Sequence, residues 1–98
     1  MLVQKTREYD QWIDSLKDVV ARARILVRVE RLIHGHPGQH RNLAGGVSEL
    51  KMDFGPGYRV YYCLRGTTVL LLLGGGDKAS QENDIRVPTN LARRYSMR

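Results

Sequence analysis

A chain of 98 residues is long enough for one domain with one hydrophobic core, and too short for two. Sixteen Lys and Arg against ten Asp and Glu give a net charge of +6, and 42% of the residues are hydrophobic. This balance predicts a folded domain drawn to a polyanion or an acidic partner and leaves the fold open. The single Cys63 cannot form an intramolecular disulfide, which fits a reducing cytosol; its place in a strand pattern marks a buried, inert thiol rather than a nucleophile. No hydrophobic segment precedes the first helical pattern, and the longest apolar run, residues 69–73, is far too short to span a bilayer. The expected location is the cytoplasm, without membrane contact.

Residues 1–5 are compatible with an edge strand. Thr6 can cap a helix whose first turn carries Glu8 and Asp10, both favourable at a positive helix end. Tyr9, Trp12, Ile13 and Leu16 recur at helical spacing and predict its buried stripe, with Trp12 as a core anchor rather than a base-stacking platform. Asp18 can cap a second helix running to about His34, with Val19, Ala23, Leu26, Val29 and Ile33 as its expected apolar face. Arg24, Arg28 and Arg31 fall on another face at steps of four and three. They are either a solvated helix surface or a docking surface for RNA backbone or an acidic segment. Gly35, Pro37 and Gly38 end the helix.

Residues 34–46 read as a polar loop or short strand. His34, His36 and His40 lie close in sequence, but no Cys or carboxylate joins them at ligand spacing, so no metal site is expected. From Val47 the period changes to two: Leu50, Met52 and Phe54 alternate with Glu49, Lys51 and Asp53. Gly55-Pro56-Gly57 turns the chain into a second strand, in which Tyr58, Val60, Tyr62 and Leu64 alternate with Arg59, Tyr61 and Cys63. Residues 65–68 turn it again, and residues 69–73 are apolar on both faces, as a central strand covered on each side would be. Gly74-Gly75-Gly76 is expected to open the exit of that strand; Ser80 can cap a final helix limited by Pro88. The reading is one α+β domain over residues 1–98, a three-strand meander with helices packed before it.

The glycine run before Asp77 and Lys78 is not a phosphate loop: neither the Walker spacing nor the dinucleotide fingerprint is present. No catalytic triad is suggested. What remains is cationic. Lys51 and Arg59 occupy polar positions of neighbouring strands and Lys78 follows the third; strands about 5 Å apart bring such residues within reach of one phosphodiester. Tyr61 is expected on the face of Arg59, where it could stack on a base. The alternative is an ordinary solvent-facing set of charges.

Glu49-Leu50-Lys51, then Gly55-Pro56-Gly57-Tyr58-Arg59-Val60-Tyr61-Tyr62, then the segment from Leu71 through Gly76-Asp77-Lys78 to Gln81, with Asp84-Ile85, resembles the RelE/ParE toxin superfamily, and within it the HigB-like subgroup. With the start around Trp12 and Leu16, the likeness covers nearly the whole chain. It implies a RelE-like α+β fold: a small antiparallel-rich sheet, an N-terminal helical hairpin on one side and a C-terminal helix. It also implies a toxin of a type II toxin–antitoxin pair, acting as a ribosome-dependent endoribonuclease on mRNA. Such a toxin is neutralised by an antitoxin of helix-turn-helix, HigA-like type, through which alone it would reach operator DNA. No cofactor is implied.

Carried over residue by residue, Arg59 matches the strand arginine at the scissile phosphate and Lys78 the basic residue after the last strand. Lys51 matches the basic position of the preceding strand, to within one residue of register. Tyr95 is the aromatic candidate for the C-terminal position of the site, where no His occurs. Two rivals share the fold: a ParE-like poison of DNA gyrase, which has no need of cations around a phosphate, and a module that binds nucleic acid or antitoxin without catalysis, leaning on Arg24, Arg28 and Arg31.

Overall fold

The computed structural model describes residues 2–79 together with Ala92 and Arg93. Ser80 and Pro88 of the expected final helix, and Tyr95, lie outside the described residues. The chain runs β1 (Leu2–Lys5), α1 (Arg7–Ser15), α2 (Val19–Ile33), β2 (His40–Asn42), a 3₁₀ turn (Ala44–Gly46), β3 (Ser48–Lys51), β4 (Tyr58–Arg65) and β5 (Val69–Asp77). The strands form one five-stranded sheet in the order β1-β5-β4-β3-β2. β3, β4 and β5 make the expected antiparallel meander, β2 adds to β3 antiparallel, and β1 lies parallel to β5. The sheet is therefore mixed, and the molecule is α+β.

Both helix starts follow from their caps. The Thr6 hydroxyl accepts from Tyr9 N–H at 3.0 Å and donates to the Leu73 carbonyl at 2.7 Å, so one buried side chain starts α1 and ties it to β5. The Asp18 carboxylate accepts from Ala21 N–H at 3.0 Å and starts α2. Between the helices and one face of the sheet lies the larger core. Tyr9 and Ile13 come from α1, Ile25, Val29 and Leu32 from α2, and Leu50, Val60, Tyr62, Leu70 and Leu72 from the strands. Each such side chain contributes about 1.5–3 kcal/mol when fully removed from water.

The buried face of α2 keeps Val29 and Ile33 of the expected one and otherwise differs. Ala21, Ile25, Val29 and Leu32 point inward, while Val19 and Leu26 are 64% and 46% exposed and Ala23 is exposed too. The helix carries apolar residues on more than one stripe, so spacing alone admits two registers. Hydrogen bonds from Arg28 to the β3 side of the sheet fix the one that forms.

The opposite face of the sheet is covered as well. Val47, Tyr61, Cys63, Leu71, Leu73 and Ala92 form a second cluster, with Leu43 packed against it. Ala92 and Arg93 are helical, and Ala92 is buried in this layer. Two-sided coverage explains why β4 is buried on both faces and why Glu49, expected to point to solvent, is fully buried. Its carboxylate is held by Arg41 at 2.9 Å.

The glycine run is strand, not exit: β5 continues through Gly74, Gly75 and Gly76 to Asp77, pairing with β4 as far as Tyr58. A Cβ built on Gly75 would stand 2.3 Å from the indole of Trp12, so Trp12 of α1 packs directly on the backbone of β5. A bulge between Tyr61 and Tyr62 shifts the β4–β5 register, leaving Gly74 opposite Tyr61 and Leu72 opposite Tyr62.

Candidate functional site

The register of the meander brings the expected cations together. Lys51 of β3 pairs with Arg59 of β4, and Arg59 pairs in turn with Gly76 of β5. Directly paired residues share a face, so the three stand in one row at one end of the sheet, on the side away from the helices. Gly76 puts no side chain beside the guanidinium. Lys78 follows two residues on, and its N–H donates to the Pro56 carbonyl at 3.4 Å, which holds the strand end against the β3–β4 turn. Lys51, Gly57, Arg59 and Lys78 line a cleft of about 400 Å³ with Asp53 on its rim.

Arg59 is only 6% exposed. One terminal nitrogen donates to the Gly57 and Tyr58 carbonyls, both at a long 3.3 Å, and no described residue accepts from Nε. None of Lys51, Arg59 and Lys78 forms an ion pair among the described residues. A buried guanidinium without an anion is electrostatically unfavourable, and its cost falls when an anion enters the cleft. Lys51 is half-buried and Lys78 exposed, so the cleft presents one inner and two outer cations.

Tyr61 is corrected by the fold. It shares the face of Arg59, as alternation requires, but is 1% exposed beneath the second cluster and offers no surface to a base. Arg24, Arg28 and Arg31 also separate by role. Arg28 spends its guanidinium on three backbone carbonyls, Lys51 at 3.0 Å, Pro37 at 3.0 Å and Gln39 at 2.9 Å. Burial and the neighbouring Arg31 lower its pKa, with Asp53 acting the other way. It is a fastening between α2 and the sheet edge, not a free contact. Arg24 sits 3.8 Å over the ring of Phe54, which in turn packs on Tyr58. Arg31 is exposed.

Other expected groups have local roles. His34 pairs with Glu30 at 3.0 Å one turn earlier, and His40 bonds the Gly38 carbonyl at 2.7 Å. Among the described residues no group of three or more metal-capable side chains converges. Cys63 is buried, and desolvation raises its pKa against the smaller opposing effect of Arg65, which keeps it a thiol. No helix among the described residues is long and apolar enough to cross a membrane.

Sequence reading overlooked Phe54, Asp53 and Gly57 as parts of the site. The signal for Gly57 was present: in Gly-Pro-Gly it takes φ +78°, and a Cβ there would meet Lys78 Cβ at 3.1 Å and the Arg59 guanidinium at 3.7 Å. Both the turn and the close approach of two cations need a residue without a side chain.

No protein-family model matches the chain. It is similar to an uncharacterized protein of Haemophilus influenzae, with 36% identity over 95 residues that cover 97% of this chain and 96% of that protein. At that identity and coverage the two belong to one family, that of the Haemophilus influenzae protein.

Proposed function

We propose that this protein is a RelE/HigB-like toxin of a type II toxin–antitoxin pair that cleaves mRNA on the ribosome. One observation carries the reading: a buried Arg59 without an ion pair among the described residues, beside Lys51 and Lys78 in a cleft. Such a site suits a phosphodiester, and it gains most when charge on the phosphate increases. The α+β architecture with two helices on one sheet face supports the same reading.

In the proposed reaction the ribose 2′-oxygen attacks the adjacent phosphorus while the bond to the 5′-oxygen breaks. The products are a 2′,3′-cyclic phosphate and a 5′-hydroxyl end. The 2′-hydroxyl gives up a proton, and the leaving oxygen takes one. Arg59 contacts the non-bridging oxygens, where its planar fork binds two at once. Lys78 adds charge from the open side. Lys51 orients the backbone electrostatically, since an ordinary lysine stays protonated near neutral pH. Tyr95 keeps its place as the aromatic candidate for the C-terminal position of the site. Neutralisation by a helix-turn-helix antitoxin, and contact with operator DNA through it alone, belong to the same proposal.

A second reading, a toxin-fold module that binds nucleic acid or antitoxin without catalysis, leans on Arg24 and Arg31, which are exposed on α2. Gyrase poisoning gains nothing from three cations around one cleft. The test is induced expression in bacteria: Arg59→Ala abolishes growth arrest and lowers cleavage by about 100-fold or more while the protein still folds. Full toxicity of a folded Arg59→Ala protein refutes the assignment.

A further inference from the structure

Asp53 has a second cleft on its other side. This one, about 420 Å³, lies between α2 and the segment that follows β3. Its walls carry Arg24, Val27, Arg31, Gln39 and Phe54, and Arg28 lies at its base. The volume is in the range that holds a small organic ligand. Three guanidiniums face one carboxylate, and none of the three forms an ion pair among the described residues.

The roles divide cleanly. Arg28 is used by three backbone carbonyls, one of them that of Lys51, so it fixes this cleft relative to the sheet site. Arg24 is held over Phe54 and is still exposed, which makes a guanidinium–aromatic platform bordered by Val27. Arg31 is exposed and has no structural bond among the described residues. A stacking platform next to a free guanidinium matches a base next to its phosphate. An acidic peptide would use the charges but not the platform.

We propose that this cleft is a subsite for a nucleotide flanking the scissile step of a single-stranded RNA, its base on Arg24 and Phe54 and its phosphate on Arg31. The inference rests on the RNA-cleaving reading, in which a strand seated at Arg59 would round the sheet edge at Asp53, the residue that lines both clefts. The platform replaces the one that the burial of Tyr61 removes. Arg24 and Arg31 thus set how the strand is held rather than how it is cut.

The test titrates full-length protein with two 2′-O-methyl RNAs, which cannot undergo transphosphorylation: a dinucleotide, followed by NMR, and an oligonucleotide of about eight residues, followed by fluorescence anisotropy. Arg24→Ala and Arg31→Ala each weaken the longer RNA about tenfold, and Arg31→Ala lowers the salt slope by about one, while dinucleotide binding is unchanged. Arg59→Ala weakens both probes. If Arg24→Ala and Arg31→Ala bind both RNAs as wild type does, the subsite is overturned, and loss in Arg59→Ala alone leaves the nuclease reading standing. If Arg59→Ala changes neither probe while the α2 variants lose the longer one, RNA binding at α2 stands, but its place beside a scissile step falls together with the nuclease reading. Wild type that binds neither RNA but takes a glutamate-rich peptide, lost on Arg31→Ala, overturns the subsite in favour of an acidic protein partner.

Discussion

Arg28 and Arg59 are both arginines that bond backbone carbonyls, yet their surroundings give them opposite roles. Arg28 makes three bonds of 3.0 Å or less across two segments. Bonds from a charged donor to otherwise satisfied structure are worth about 1.5–3 kcal/mol, so Arg28→Ala should lower unfolding free energy by about 2 kcal/mol. Urea titration measures this, and a stability loss below the noise would remove its role as a fastening. Tyr9 offers a second residue-level test. It is buried, no described residue bonds its hydroxyl, and burial, reinforced by Asp10 and Asp14, pushes its pKa up to about 12. A raised folded pKa means that the native state holds its proton longer than the unfolded chain does. The associated stability is full below pH 10, the ordinary tyrosine value, and is lost as pH rises towards 12. That loss approaches about 3 kcal/mol. Tyr9→Phe should remove this alkaline limb and be neutral or stabilising at neutral pH, since it deletes an unpaired hydroxyl. An unchanged alkaline limb, read by circular dichroism against pH, would assign the loss elsewhere.

The long β5 strand does two jobs that a shorter one could not. Its leucines fill both cores, and its glycines admit Trp12 from α1 while extending pairing to Asp77, next to Lys78. Overfilling a packed site costs about 1–3 kcal/mol. Gly75→Ala should therefore destabilise by that amount and displace Trp12, seen as a shift in its fluorescence; unchanged emission and stability would show that the contact is slack. The elements also show what pattern can and cannot reveal. Thr6 and Asp18 mark the helix starts through side-chain chemistry, and the period-two segments mark β3 and β4, so these were legible from sequence. The buried face of α2 was not, because Val19, Leu26, Ile25 and Leu32 satisfy two stripes and only contact with the sheet chooses between them. The glycine run was misread because a strand that accepts an indole looks, residue by residue, like a strand that ends.

At the scale of the molecule, two-sided coverage of the sheet decides the candidate site. It buries Tyr61 and Glu49, whose alternation alone placed them on an open surface, and leaves the Lys51–Arg59–Gly76 row as an opening at the sheet end. The row itself was foreseeable, since neighbouring strands with Lys and Arg at polar positions must meet across a meander. The second layer was not, because it gathers residues remote in sequence, Val47 and Ala92 with Tyr61, Cys63, Leu71 and Leu73. Six of the sixteen Lys and Arg line two clefts that share one carboxylate, where an anionic strand would lie. Under the proposed function, this set of cations cuts RNA. The most direct measurement is a short induced pulse of the wild-type protein in bacteria, with transcriptome-wide mapping of new 5′-hydroxyl RNA ends against an Arg59→Ala control. Wild type should give codon-phased ends within minutes, and the variant none. Growth arrest without new ends, or the same ends from folded Arg59→Ala, would contradict it.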